Sequence, residues 1–593
     1  GDLRMQNPYW IAYRNLRLNN KKRYMASAGL SYQILDWLNV AGRVRIDNTH
    51  SEYEGKLYAS SSNTLTDGST QGHYTVNNGQ YSQTYADVLV NINKRIQDFT
   101  IVANIGASYS GVTSKELGYA GPIRETGIPN LFNVYDLDNA KKRATQVGWR
   151  EATESIFASA EVGWKSMLYL TVTGRNDWAS QLTHSPQASF FYPSVGLSAV
   201  ITEMLKLPDW VDYLKVRGSF SSVGNPYPRF LTYPTYSYDA NKQDWKSQTN
   251  YPIGKLYPER TDSWEVGLDA TLFKDFKLSG SFYYANTYNQ TFDPRLPVSS
   301  GYDKLYVQTG YVRNYGFEAM LSYGHRWGDF GWDSSFTFSA NKNEIVELVK
   351  DYVHPETGKT YNVDKLELKT DEGRGFGKAK FILKEGGTLG DLYTHADLKR
   401  DINGNILIDD SGNVTAIDNA GDIKLGSVLP KANLAWNNSF SYKGINAGFL
   451  LTARLGGIVY SATQAYLDLY GVSETSAAAR DAGGVWINGR SHVNPQSFYE
   501  VVASQSGLPT YYTYSATNLR LQEAHIGYTV PRRWLGNVCD INVSLVGRNL
   551  WMIYCKAPFD PEAVATTNNY YQGIDYFMMP STRNIGFNIK INF

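Results

Sequence analysis

Few residue runs in this chain have types and spacings that could do chemistry. The run DINGNILIDD, residues 401–410, has the look of a cation loop. Asp401, Asn403 and Asn405 fit the first three ligand positions of an EF-hand pattern, which would place a structural calcium there. The sixth position, glycine in that pattern, is Ile406, and the twelfth, glutamate, is Gly412. A hairpin built on Asn-Gly turns accounts for the same residues. No other cofactor is expected. GRGFGK, residues 373–378, lacks both the GxxxxGK[ST] order and a following helical pattern, so a loop explains it better than a phosphate cradle. The 8 histidines include no HExxH pair, and no G-x-S-x-G elbow occurs. No catalytic residue is assigned. In GRNDW, Arg175 and Asp177 share a strand face, where an ion pair inside the protein is the expected use.

Four aromatic runs differ in kind: YLDLYG (466–471), VWING (485–489), YYTYS (511–515) and NYYQGIDYF (569–577). Rings beside Asn, Gln and Asp suit sugars or peptides, because rings stack on apolar ligand faces while amides satisfy hydroxyl or backbone groups. Tyr470, Trp486, Asn488, Tyr511, Tyr512 and Tyr571 are the residues expected to contact such a ligand. An interfacial girdle, or packing against a partner lid, would use the same rings.

The elements that must position these runs are strands. The chain ends on STRNIGFNIKINF, in which Ile585, Phe587, Ile589 and Ile591 alternate with Gly586, Asn588, Lys590 and Asn592. A period of two puts one face against an apolar medium and the other against polar groups. The same dyad recurs in LNVAGRVRI from Leu38, FTIVANIGA from Phe99 and SWEVGLDATLF from Ser263. Extending the reading along the chain gives about seventeen strands. Their connections are mostly short at one end. At the other they are long and polar, near 57–80, 110–153, 224–260, 291–310, 343–430, 458–518 and 554–582. That asymmetry belongs to an all-β, transmembrane antiparallel barrel with long extracellular loops and short periplasmic turns.

Composition agrees. The 45 tyrosines and 14 tryptophans suit surfaces that are apolar at one end and wet at the other. No run of about 18 apolar residues proposes a membrane helix. The 57 basic and 56 acidic side chains nearly cancel, so charge gives no case for nucleic acid. Cys539 and Cys555 flank one extended strand of roughly 45–50 Å, far beyond the ~7 Å Cα separation a disulfide needs. They are expected to stay unpaired.

The sequence resembles the SusC-like (SusC/RagA) family of TonB-dependent outer-membrane transporters. The resemblance rests on NPYW (7–10), GRNDWAS (174–180), FFYPSVGLSAV (190–200), YLKVRGSFSSVGN (213–225) and PERTDSWEVGLDATLF (258–273). It continues through VRNYGFEAML (312–321), NLRLQEAHIGYTVP (518–531), GRNLWMI (547–553) and FDPE (559–562). It implies a barrel of about twenty-two strands with a plugged lumen. Residues 1–593 would then be the C-terminal part, with the plug and about five first strands supplied from outside this sequence. It implies import of oligomeric nutrients, glycans or peptides, across the outer membrane. The implied partners are a SusD-like lipoprotein lid, TonB acting through the N-terminal segment, membrane lipid and a second transporter–lid pair. A passive porin and a siderophore- or cobalamin-type receptor are the competing readings. The final strand resembles the terminal signal by which such barrels are recognised for assembly.

Overall fold

The computed structural model describes residues 6–592 apart from 232–235, 240–243, 248–249, 252–255, 293–303, 306, 354–357, 359, 369–376, 490 and 565–571. Its main feature is one 17-stranded antiparallel sheet, the number the alternation predicts. The strands are β1 (Asn15–Leu35), β2 (Leu38–Tyr58), β3 (Gly72–Ile96), β4 (Phe99–Pro122), β5 (Arg143–Trp164), β6 (Leu168–Ala179), β7 (Ser189–Val200), β8 (Val211–Asn225), β9 (Glu259–Leu272), β10 (Phe276–Phe292), β11 (Val307–Trp327), β12 (Phe330–Glu347), β13 (Ala432–Tyr442), β14 (Ile445–Leu455), β15 (Asn518–Val530), β16 (Asp540–Cys555) and β17 (Asn584–Asn592). Each pairs with its neighbours in sequence, from β1 with β2 to β16 with β17. Among the described residues, β1 and β17 have one neighbour each.

Register carries the dyad from strand to strand, because residues directly opposite share a face. Ile589 lies opposite Val543, which lies opposite Tyr528. Ile585, Phe587, Ile589 and Ile591 therefore share a face with Val543, Leu545 and Ile526. These side chains are exposed, from 44% at Val543 to 78% at Phe587. Val88, Ala107 and Ile156 form a comparable row across β3–β5. So large an uncovered apolar face has lipid as its medium. Asn588 and Lys590 lie on the other face, opposite Ser544 and Asn542.

The inner face is polar and matches its charges. One row runs straight across five strands: Arg43, Asp87, Ser108, Ser155 and Asp177. Arg43 pairs with Asp87 at 2.6 Å and Arg175 with Asp177 at 2.7 Å. Arg175 also donates to the Ser155 hydroxyl at 2.7 Å. Farther round, Arg217 pairs with Asp269 at 2.7 Å.

The short turns close one end. Between β13 and β14, Lys443 and Gly444 have φ of 46° and 89°, the type I′ geometry that matches strand twist. Rings line this rim. Trp210 stacks on Phe273 at 5.5 Å, Phe276 meets Tyr323 at 4.7 Å, and Trp327 stacks on Phe330 at 5.9 Å. Lys94 and Lys165 place their ammonium groups 4.6 Å and 5.3 Å from the rings of Trp37 and Trp164. Such a belt marks where hydrocarbon meets water.

The other end is taller than the alternation suggests. β3 has 25 residues and β4 has 24, against 11 in β13 and in β14. A membrane crossing needs about 9–11. Much of the segments expected to be loops, 57–80 and 110–153, is therefore strand standing above the membrane. There both faces meet water, so HYTVNNGQYS keeps its ladder but loses the dyad.

Candidate functional site: the cap over the long-loop end

Three of the long connections, 348–431, 456–517 and 556–583, fold together rather than lying apart. They share one apolar cluster that includes Phe381, Leu392, Tyr460, Phe498, Val502 and Ile574. A four-stranded sheet comes from the first connection: Lys365–Leu368, Ala379–Lys384, Asp391–Thr394 and Ile423–Ser427. Besides the single turn Pro509–Tyr512, the second supplies three eight-residue helices, Ala462–Leu469, Glu474–Asp481 and Pro495–Val502. Each starts where a side chain satisfies free N–H groups. Ser461 accepts from Gln464 N, Ser473 from Ser476 N, and Asn494 from Gln496 N and Ser497 N, with Pro495 opening the last helix. Ile574–Asp575 of the third connection pairs with Tyr460 and Ser461, and the Ser461 hydroxyl donates to Asp575 at 2.5 Å.

Within this cap, Asp468 is a buried acceptor with 4% exposure. It accepts from Tyr512 Oη at 3.0 Å, from Gln464 Nε2 at 2.9 Å, and from the Ser473 hydroxyl. Burial, reinforced by the Asp468 carboxylate, pushes the Tyr512 phenol far above its ordinary range. Burial likewise pushes Tyr514 up to about 12. Both phenols stay protonated, and that of Tyr512 acts as a donor.

The six residues expected to meet a ligand divide. Tyr470 and Trp486 are each 62% exposed. Trp486 stands on the hairpin Val485–Ile487/Ser491–Val493, edge-on to His492 with ring centres 3.7 Å apart. Asn488 turns that hairpin with φ of 53° and clamps Ile406, donating to its carbonyl at 2.9 Å and accepting from its N–H at 3.1 Å. Tyr511 is half-buried against Phe498, with ring centres 6.1 Å apart. Tyr512, at 2% exposure, belongs to the core; its hydroxyl serves Asp468 rather than a free surface. Tyr571 lies outside the described residues.

At 401–410 the carboxylate of Asp401 is engaged by its own turn. It accepts from Asn403 N at 2.8 Å, Asn405 N at 2.9 Å and Asn405 Nδ2 at 3.1 Å. Those bonds, led by the Asn405 side chain, hold its pKa below the usual carboxylate range. Asp409 repeats the design eight residues on, accepting from Ser411 N and Asn413 N at 2.9 Å and 2.8 Å. The first of these two Asx turns uses Asp401, Asn403 and Asn405, the residues that fit the cation pattern. Of GRGFGK, Gly377 and Lys378 are described, and Lys378 pairs with Asp418 at 2.7 Å; residues 373–376 lie outside. Both cysteines are free.

One cluster was not anticipated. Arg520 of β15, with its side chain 6% exposed, grips Asp560 of the third connection, 10% exposed, at 2.8 Å and 3.3 Å. Arg520 also reaches Glu562 at 3.2 Å, and Asn518 Nδ2 donates to Glu562 at 3.2 Å. Register shifts on both sides of Arg520, and Asn549 at φ 51°, re-aim the strand toward this loop. In the sequence NLRLQEAH and FDPE stand apart, and nothing local joins residues 40 positions apart.

A sheet with a lipid-facing apolar side, a charged inner side and an elaborate cap defines a large transmembrane β-barrel wall. Residues 2–550 match the family described as TonB dependent receptor-like, beta-barrel, and the chain belongs to that family. It is 23% identical to TonB-dependent receptor P3 of Formosa agariphila over 99% of this chain and 60% of that protein. It is 24% identical to TonB-dependent receptor SusC of Bacteroides thetaiotaomicron over 67% of this chain and 40% of that protein. Among solved structures, that of the RagAB peptide transporter superposes with a TM-score of 0.76 at 17% identity, covering 99% of this chain and 63% of that one. The chain thus spans about 60% or less of the length of these curated relatives.

Proposed function

We propose that this chain forms the greater part of the wall and the outer mouth of an outer-membrane, TonB-dependent importer of oligomeric nutrients, peptides or glycans. The observation that carries the reading is the cap. Three connections build a cored unit over the long-loop end, and the exposed Trp486 and Tyr470 give it rings for stacking. A passive pore has no use for so large a folded mouth. The inner face, lined with matched charges, suits a polar cargo or a polar plug. Strands from the rest of the protein cover the free edges of β1 and β17, since bare backbone groups in hydrocarbon cost several kcal/mol each. A SusD-like lipoprotein is the proposed lid and TonB the energy source. The curated relatives are named as receptors, and transport rather than catalysis is the proposed activity.

The test is uptake by cells carrying the full-length protein, with labelled peptide pools and oligosaccharide pools presented separately. The expected result is uptake of one pool that collapses when TonB is removed and falls in Trp486→Ala/Tyr470→Ala. Uptake that ignores TonB would establish a passive pore. Uptake of an iron chelate or a corrinoid alone would establish the siderophore- or cobalamin-type reading.

A further inference from the structure

We propose that the outer face of β1–β6 carries a binding track for a phosphate-bearing glycolipid of the outer leaflet. The track starts in the lipid-facing surface. There a hollow of about 680 Å³ is floored by the small residues Ala28, Gly42, Ala86 and Ala107. Leu30, Val44, Val88 and Ile156 wall it, each between 49% and 85% exposed. Its upper rim carries Tyr109 and Trp178.

Depth follows from strand arithmetic. A crossing takes about 9–11 residues. Counting up from Phe99 at the foot of β4 reaches 107–109, and from Trp164 at the foot of β5 reaches 154–156. Tyr109 and Trp178 thus stand at headgroup level, and the hollow lies just beneath, at acyl-chain depth.

Immediately above, the same face turns polar. A second hollow of about 330 Å³ shares Tyr109 and adds Ser82, Thr84, Thr113 and Arg150. A third of about 720 Å³ follows, with His50, Asn78, Gln80, Lys115 and Gln146. Register places these residues on one face: Gln80 opposite Lys115, Lys115 opposite Gly148, and Thr113 opposite Arg150. Lys115 and Arg150 are therefore diagonal neighbours of like charge. Neither has a carboxylate partner among the described residues, whereas three inner-face arginines of β1–β6 are matched, Arg23 to Asp47, Arg43 to Asp87 and Arg175 to Asp177, with Arg45 the exception on β2. Two adjacent cations without an anion repel, and an anion between them removes the repulsion. On this face Glu154 lies four residues below Arg150, about 13 Å along the strand, and Glu52 lies two strands away from Lys115.

An apolar hollow at acyl depth, a ring belt, then paired cations among hydroxyl and amide groups is complementary to one kind of amphiphile. Acyl chains fill the first hollow, a phosphate bridges Arg150 and Lys115, and sugar hydroxyls meet Gln80, Asn78 and Gln146. A peptide partner in the bilayer would need broad apolar surface higher up, where this face has amides beside Leu117.

The experiment uses the full-length protein in detergent micelles, titrated with a diphosphorylated lipid A-type glycolipid and with its dephosphorylated form, and read by native mass spectrometry. The expected result is preferential retention of the phosphorylated form. Lys115→Gln/Arg150→Gln should weaken that retention about thirtyfold and abolish the preference. Ala107→Trp, which fills the hollow, should weaken both forms. Cold-gel mobility of the folded barrel reports that each variant is assembled. Equal retention of the two lipids, or unchanged retention in the double variant, overturns the proposal. So does a dimer that falls apart in the double variant, which would give this face to a second copy. Uptake of nutrient is a separate readout, so failure here leaves the transport reading standing.

Discussion

Replacing Arg520 with methionine should free the 556–583 connection from the wall without unfolding the sheet. The guanidinium is 6% exposed and the Asp560 carboxylate 10%, so water cannot step in for the lost partner. Removing one member of a buried pair typically costs about 3–5 kcal/mol, because the other charge is left unmatched. Glu562 is 42% exposed, so its share is screened and adds less than about 1 kcal/mol. The low end, about 3 kcal/mol, raises the open fraction of the latch roughly a hundredfold. Hydrogen exchange at residues 557–563 reads that fraction directly. Exchange there should accelerate about a hundredfold in Arg520→Met while β16 remains protected. Arg520→Met/Asp560→Leu removes both charges, and because replacing a whole pair is often neutral, it should recover most of the protection. Acceleration below about fivefold in the single variant, or a double variant worse than the sum of the singles, would falsify the latch.

The same contact sets a pH window. Burial alone would raise Asp560, but hydrogen bonds from Arg520 and the Glu562 backbone outweigh it and hold the pKa below the usual value. A depressed carboxylate contributes stability above the unfolded value of about 3.9, which is lost as pH falls through the folded one. Exchange at 557–563, corrected for intrinsic rate, should be flat from about pH 8 to pH 5 and rise only below about pH 4; a rise near pH 6 would point to another group. Phe587→Arg puts a cation on the lipid face near mid-bilayer and should cost about 2–4 kcal/mol in folding into vesicles. Asn588→Arg, one residue along on the inner face, should be far milder, and equal costs would mean the register is wrong. Asn488→Ala removes both bonds to Ile406, worth about 0.5–1.5 kcal/mol each. The 485–493 hairpin should then be cleaved faster by protease, while Asn488→Gly, which suits the positive φ, should loosen it no more than alanine does.

The sequence shows strand number and facing where the medium enforces them. Lipid accepts only apolar side chains on one face, so Ile585, Phe587, Ile589 and Ile591 announce their orientation with no partner in view. Strand height carries no such mark, because above the membrane the ladder continues between two wet faces, and Asn77 or Gln80 can point either way. The three longest cap helices have their signals, at Ser461, Ser473 and the Asn494-Pro495 pair, yet each has only 8 residues, too few for a periodic run to rise above a polar loop. YYTYS is ambiguous for a different reason. Tyr511 and Tyr512 look alike in sequence, and what sends Tyr512 inward is Asp468, 44 residues away.

Two stabilising systems of different kind meet in this chain. The sheet has no core between its strands, since one face meets lipid and the other the lumen. Its cohesion is the hydrogen-bond ladder, which opens strand by strand only at great cost in hydrocarbon. The cap has a core of its own, assembled from three connections, and its first connection is also packed on the wall, where Leu383 and Leu348 meet Val312 and Ile345. The 556–583 connection belongs to both, with Ile574 in the cap core and Asp560 on the wall through Arg520. Any tilt of the cap must pull one of these free. Extracting Ile574 would open a cavity and unpair its strand from Tyr460, whereas Asp560 is held by a single guanidinium that an incoming charged group could replace. Of the two attachments of the 556–583 connection, the wall contact through Arg520 is therefore the one expected to yield first.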